Sequence, residues 1–263
     1  MKAEDLFDLT GRVAIVTGAA GGLGLSMAEV LAANGATVSL FDFDEDGLRQ
    51  SVERLRDQGL DVEGRLVDVA DTDRLAAEID AVAETYGRLD IAIANAGMSA
   101  GPGFTVPEGR MQAVDMNRWQ RVIDVNLTAT FVTIRAAAAH MIPRREGRII
   151  AVSSIAGLMA EPLCGYAYAA TKASVVNLVR QSAMELAQHN VLVTGIAPGP
   201  FRTNIGGGRI NDPEVERMFR AGVPLDRIAH VDEMKGLVLL LASPASSFMT
   251  GVTIPIDGGA TAD

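Results

Sequence analysis

Short apolar runs along this chain alternate with longer stretches whose apolar residues recur every three or four positions. Residues 13–17 (VAIVT) form the first run, and a glycine-rich turn separates them from Leu23, Met27, Val30 and Leu31, which share one helical face. The unit repeats: residues 37–41 lead to Leu48, Val52 and Leu55, and residues 62–67 lead to Leu75, Ile79, Val82 and Tyr86. A fourth strand is predicted at 89–94, followed by a glycine-rich loop and a helix carrying Trp119, Val122 and Ile123. Strands at 148–153, 191–197 and 252–256 and helices at 166–188, 213–219 and 231–241 complete the pattern. Strands apolar almost throughout, separated by amphipathic helices, indicate a parallel sheet covered on both faces. Right-handed crossovers then favour a doubly wound α/β layout. No linker divides the sequence, so residues 1–263 are read as a single domain.

Composition narrows the classes of function. The chain has 263 residues, 48% hydrophobic and 21% charged, which suits a folded α/β domain and excludes a disordered or fibrous chain. A formal charge of −10 repels polyanions, so nucleic acid is not an expected partner. The sole cysteine, Cys164, cannot form an internal disulfide, and no Cys/His spacing suggests a metal site. The N-terminal MKAEDLFDLTGR lacks the apolar stretch of a secretory signal and no uninterrupted apolar run of membrane-spanning length follows, so the expectation is a cytoplasmic protein without membrane attachment.

The first strand-turn-helix unit carries TGAAGGLG at 17–24, with Thr17, Gly18, Gly22, Leu23 and Gly24 in a TGxxxGxG pattern. Glycines there permit a tight turn and close approach of backbone to a pyrophosphate, whose charge the helix N-terminus receives. Asp42 ends the second strand, eighteen residues after Gly24. Its carboxylate can accept hydrogen bonds from ribose hydroxyls and would repel a phosphate on the same ribose, while Gly21 offers no cation to neutralise one. The pattern predicts NAD in preference to NADP. Asp68 and Val69 after the third strand, and Asn95, Ala96 and Gly97 after the fourth, are candidate walls of the same cleft, although local turns explain each equally well in isolation.

Tyr168 and Lys172 lie one helical turn apart, where an ammonium would lower the phenol's pKa and ease proton exchange with an alcohol or carbonyl oxygen; Ser154 can help hold that oxygen. With these residues the whole chain resembles the short-chain dehydrogenase/reductase family. The motifs are TGAAGGLG, Asp42, Asp68–Val69, Asn95–Ala96–Gly97, Asn126, Ser153–Ser154, YAATK at 168–172, PGPFRT at 198–203 and IDGG at 256–259. The resemblance implies a Rossmann fold with seven parallel strands in the order 3-2-1-4-5-6-7 and a homotetramer. It implies Tyr168 as acid/base, Lys172 as its electrostatic partner and ribose contact, Ser154 as the residue positioning the substrate oxygen, and Asn126 in a water-linked relay to Lys172. It also implies Pro198, Gly199, Phe201 and Thr203 beside the nicotinamide. Ser154 stands fourteen residues before Tyr168, one more than the family's usual interval. Ser153 is expected to face the cofactor or complete its strand.

The expected reaction is hydride transfer between NAD and a small secondary alcohol, sugars and polyols included, with carbonyl reduction as its reverse. A 3-hydroxyacyl dehydrogenase or 3-oxoacyl reductase is the enzymatic alternative; a non-catalytic dinucleotide sensor or scaffold is the other, and it would be expected to lose Tyr168 or Lys172. Loops at about 98–115, longer than in a typical relative, and at 204–224, with Glu161, are expected to shape the substrate entrance. Gly206, Gly207 and Gly208 would allow an unusual path there, and Val215, Met218 and Phe219 could cap the cleft with an apolar helix face.

Overall fold

The central strands are buried along almost their whole length, which is why their sequences lack polar alternation. In the computed structural model, which describes residues 2–205 and 207–262 apart from the side chains of Ala3 and Arg209, these are β1 (Val13–Thr17), β2 (Thr37–Asp42), β4 (Ile91–Ala94), β5 (Gly147–Val152) and β6 (Val191–Pro198). The edge strands β3 (Val62–Leu66) and β7 (Thr253–Ile256) are more exposed, and β3 is also more polar. All seven run parallel in the order β3-β2-β1-β4-β5-β6-β7, so the chain winds outward from β1 in one direction and then from β4 in the other. The reversal lies between β1 and β4, where an open α/β sheet forms a crevice at the carboxyl ends of its strands.

Helices cover both faces. On one face α2 (Gly22–Ala33), α3 (Glu45–Asp57) and α9 (Lys235–Ala242) bury Met27, Leu31, Leu55 and Val238. On the other, α4 (Thr72–Tyr86), α6 (Ala129–Met141) and α7 (Tyr166–Leu186) bury Leu75, Ile79, Met141 and Val179. Two further helices, α5 (Met116–Ile123) and α8 (Pro213–Ala221), lie toward the crevice end, and α1 (Ala3–Phe7) precedes β1.

The structure departs from the sequence pattern in several places. The helix carrying Trp119 does not stop at Ile123: a π turn at Asp124–Thr128 joins it to α6. Alanines and threonines on every side of α6 left little polar contrast from which to predict it. The long helix tightens to a 3-10 turn at Ala187–His189, where Asn190 adopts a left-handed conformation, and the stretch before α9 is a 3-10 turn at Val231–Met234. The 98–115 loop has structure of its own, with 3-10 turns at Pro107–Gly109 and Met111–Ala113. Of the three glycines, Gly206 lies outside the described residues, whereas Gly207 and Gly208 have φ of 68° and 77°, conformations that favour glycine.

Candidate active site

The turn after β1 is held from two sides. Thr17 Oγ accepts from the backbone N–H groups of Asn95 and Ala96, both at 3.0 Å, while Asn95 Nδ2 donates to Thr17 O at 2.9 Å and Gly18 O at 3.0 Å. These four bonds tie the loops after β1 and β4 together. A Cβ on Gly24 would lie 2.1 Å from Gly18 O, and one on Gly18 would lie 2.8 Å from Ala96 Cα, so both glycines are required by close packing of backbone. Thr203 lies across Gly22, with its Cγ2 3.7 Å from where a Cβ would stand. The structure therefore brings Gly18, Gly22, Gly24, Asn95, Ala96 and Thr203 into one cluster, and Leu23, Pro198, Gly199 and Phe201 line the cavity beside it.

Asp42 is 9% exposed, and its carboxylate accepts from Ala20 N at 2.9 Å and Asp44 N at 3.0 Å. It thus braces the glycine-rich turn against the end of β2, a role with no sequence signal of its own. Each oxygen retains lone-pair capacity for a further donor. Asp68 is more exposed and meets Arg121 of α5 at 2.8 Å. Burial raises its pKa, but hydrogen bonds from Arg121 and Ala70 N outweigh that and hold it below the ordinary value. Val69 is buried in the core and Gly97 stands between Lys172 and Asn126: a Cβ there would be 3.4 Å from Lys172 Nζ and 3.5 Å from Asn126 Oδ1.

Asn126, fully buried in the π turn, accepts from Met98 N at 2.8 Å and donates to Met98 O at 3.0 Å, with Thr171 Oγ at 3.4 Å. Its amide braces the loop after β4 and makes no direct bond to Lys172. Ser153 Oγ donates to Lys172 O at 2.7 Å, stapling the end of β5 to α7. Its backbone N–H donates to Ile196 O at 2.7 Å, continuing the pairing of β5 with β6, and Ser153 also lines the cavity beside Ser154. Gly157 makes the approach possible, since a Cβ there would lie 2.5 Å from Lys172 C.

Ser154, Tyr168 and Lys172 line one cavity of about 590 Å³. The extra residue between Ser154 and Tyr168 is accommodated in the 3-10 turn Ile155–Gly157 and the loop that follows, so Ser154 remains the phenol's hydrogen-bonding neighbour. Lys172 Nζ donates to Val152 O at 2.9 Å and sits 5.7 Å from the centroid of the Tyr168 ring. The expected lowering of the Tyr168 pKa is corrected: burial pushes it up to about 12, the neighbouring Cys164 adds to the rise, and Ser154 opposes it. Burial likewise lowers Lys172 to about 8. Desolvation prevails because Lys172 is buried and bonded to a carbonyl and Tyr168 is half-buried in the cavity wall beside it.

Along the cavity rim, the 98–115 loop docks on the turn before α7. Pro102 and Cys164 form an antiparallel bridge, and Gly103 N donates to Leu163 O at 3.1 Å. On its outer side a second hollow of about 760 Å³ is lined by Trp119 and Tyr166, and it reaches neither Ser154 nor Tyr168. Of the predicted cap, Met218 and Phe219 line the main cavity and Val215 does not. Arg202 faces α8, pairing with Glu216 at 2.9 Å.

A family model described as "Enoyl-(Acyl carrier protein) reductase" matches residues 18–261. A solved short-chain type dehydrogenase/reductase from Mycobacterium marinum superposes with a TM-score of 0.89 at 33% identity, covering 100% of both chains. The chain belongs to the short-chain dehydrogenase/reductase (SDR) family. Another similar protein is a trans-4-hydroxycyclohexanecarboxylate dehydrogenase of Sinomonas cyclohexanicum, 38% identical over 95% of this SDR and 93% of the relative. A gluconate 5-dehydrogenase from Burkholderia cenocepacia J2315, solved in complex with NADP and tartrate, matches this SDR with a TM-score of 0.91 and 33% identity over 100% of both chains. As an SDR the protein is an oxidoreductase of CH–OH groups that uses a nicotinamide dinucleotide.

Proposed function

We propose that the protein is an NAD-dependent oxidoreductase that transfers hydride between a secondary alcohol and the cofactor, with carbonyl reduction as the reverse reaction. The observation that carries this reading is a single cavity whose wall joins Ser154, Tyr168 and Lys172 to Leu23, Asn95, Gly199 and Thr203 of the nucleotide cleft. The backbone cradle of Gly18, Gly22 and Gly24 suits a pyrophosphate, with Asp42 for the adenosine ribose, Asp68 and Val69 for the adenine edge, and Ala96, Gly97, Pro198 and Phe201 along the remaining walls. The nicotinamide, when bound, supplies the hydride-accepting carbon.

In oxidation, Ser154 would hold the substrate hydroxyl and Tyr168, ionised by the positive charge that Lys172 and a bound oxidised nicotinamide would bring to the site, would take its proton as phenolate; in reduction the phenol would return it. Lys172 holds the ribose and supplies positive charge beside Tyr168, and Asn126 keeps the adjoining loop in place for a water-linked proton path. Because one structural relative holds NADP, likeness alone does not choose the cofactor. Asp42 supports NAD through its charge. The polar loops suggested a sugar or polyol, but Met159, Leu163, Met218, Phe219 and Val223 give the cavity apolar walls and favour a less polar alcohol. The reading includes cytoplasmic residence and a homotetramer, both carried by the family resemblance.

Steady-state oxidation of cyclic secondary alcohols with NAD⁺ and NADP⁺ tests the proposal. We expect Tyr168→Phe to lower kcat by about 10²- to 10⁴-fold, the usual scale for loss of a proton-transferring group. Asp42→Ala should narrow the NAD-over-NADP ratio of kcat/KM by roughly tenfold. Alanine also removes the acceptor for Ala20 and Asp44, so the ratio, not the absolute rate, is the readout. Turnover unaffected by Tyr168→Phe would refute the proton-transfer role, and an unchanged cofactor ratio would refute the role of Asp42.

A further inference from the structure

The walls of the main cavity carry one acidic side chain, Glu161, and its surroundings are apolar: Met159, Pro162, Leu163, Ile205 and Met218 share the lining. Apart from the catalytic candidates Tyr168 and Lys172, the other titratable group on the described wall is Cys164. Glu161 makes no ion pair among the described residues. One carboxylate oxygen accepts from Leu163 N at 3.0 Å, and its backbone carbonyl accepts from Cys164 N at 3.2 Å, closing a turn over residues 161–164. The inserted loop clamps this turn from outside. Besides the Pro102–Cys164 bridge and the Gly103–Leu163 bond, Gly103 packs so closely that a Cβ would fall 2.0 Å from Pro162 O. A carboxylate on a clamped turn cannot be swung away at little cost when a ligand enters, and apolar walls strengthen its field within the cavity.

We propose that Glu161 is a specificity-determining residue that excludes alcohols bearing a carboxylate and accepts a hydrogen bond from a neutral donor on an otherwise apolar, ring-sized substrate. The proposal rests on the secondary-alcohol reading for the identity of the cavity as the substrate site. Chemically it commits to a ring alcohol whose far substituent is a hydroxyl or amide. Like charges brought together on binding lower affinity, and a half-buried acceptor between apolar walls rewards a donor that pairs with it.

The test is equilibrium binding to the NADH-loaded protein of two nearly isosteric, non-oxidisable probes, cyclohexanecarboxamide and cyclohexanecarboxylate, measured by calorimetry at low ionic strength. The amide should bind at least about tenfold more tightly. Glu161→Gln keeps an oxygen for Leu163 N while removing the charge and turning the second acceptor into an N–H donor, so it should reduce that preference to within about threefold, which a purely turn-capping role would not do. Equal or tighter binding of the carboxylate by the unaltered protein, an unchanged ratio in Glu161→Gln, or no binding of either probe would each overturn the proposal. The unaltered protein's own ratio decides the matter if the variant does not fold. Absence of turnover on every alcohol would instead strike the oxidoreductase reading, while the binding ratio still reports on Glu161.

Discussion

Lys172 shows how a residue suited to chemistry opposes folding. Burial moves its pKa from 10.5 to about 8, a displacement worth about 3 kcal/mol. The unfolded chain keeps this proton up to about pH 10.5, whereas the folded chain releases it above about pH 8, so stability rises with pH between those values and the full penalty is present below them. Tyr168 has the opposite slope above pH 10, where the unfolded phenol ionises before the folded one, so measurements belong below that pH. Lys172→Met should therefore abolish turnover and yet stabilise the protein at pH 7 by about 2 kcal/mol, after about 1 kcal/mol for the lost bond to Val152 O. At pH 9.5 the gain should shrink to near zero. Urea midpoints at the two pH values check this, and a variant less stable than the parent at pH 7 would contradict it. Tyr168 and Lys172 were legible from their spacing, but the direction of the Tyr168 shift was not, because spacing records the neighbour and not the desolvation that outweighs it.

The turn between β1 and α2 separates glycines that look equivalent in sequence. A Cβ on Gly21 would meet nothing within 4 Å, and its backbone is extended with φ −172°, whereas a Cβ on Gly24 would strike Gly18 O and Asn95 Nδ2. Gly21→Ala should change stability by less than about 0.5 kcal/mol. Gly24→Ala should cost about 1–3 kcal/mol or more and weaken dinucleotide binding, because the tied loops after β1 and β4 must part. Chemical denaturation and cofactor titration of the pair check the contrast; similar losses in both would show that the turn needs glycine for another reason. The strands and their parallel, doubly wound layout were legible because seven apolar runs alternate with amphipathic helices, whereas their order came from the family resemblance. The α6 extension was not, since residues such as Ala136, Ala137 and Ala138 mark no polar face, nor was the latch made by the Thr17 hydroxyl, which depends on loops 78 residues apart meeting in space.

At the scale of the whole molecule, large apolar side chains are exposed on several elements, from Phe43 after β2 to Met184 on α7. Phe131 on α6 is 46% exposed, and Phe248, in the turn before β7, is fully exposed. The two lie on different elements, which suits a tetramer of dihedral symmetry: each two-fold axis generates its own self-complementary contact. A charge of −10 on every chain opposes such assembly at long range, so apolar contacts must supply its stability and added salt should favour it. Sedimentation of the parent chain in moderate salt should return about 111 kDa, four copies of the 27.7 kDa chain. On that arrangement Phe131→Glu and Phe248→Glu would charge two different contacts, so each alone should leave a dimer of about 55 kDa and the double variant a monomer. A parent chain that sediments only as a monomer would refute the tetramer. A single substitution that released monomers directly would instead show that one contact holds the assembly, and would assign both patches to one surface.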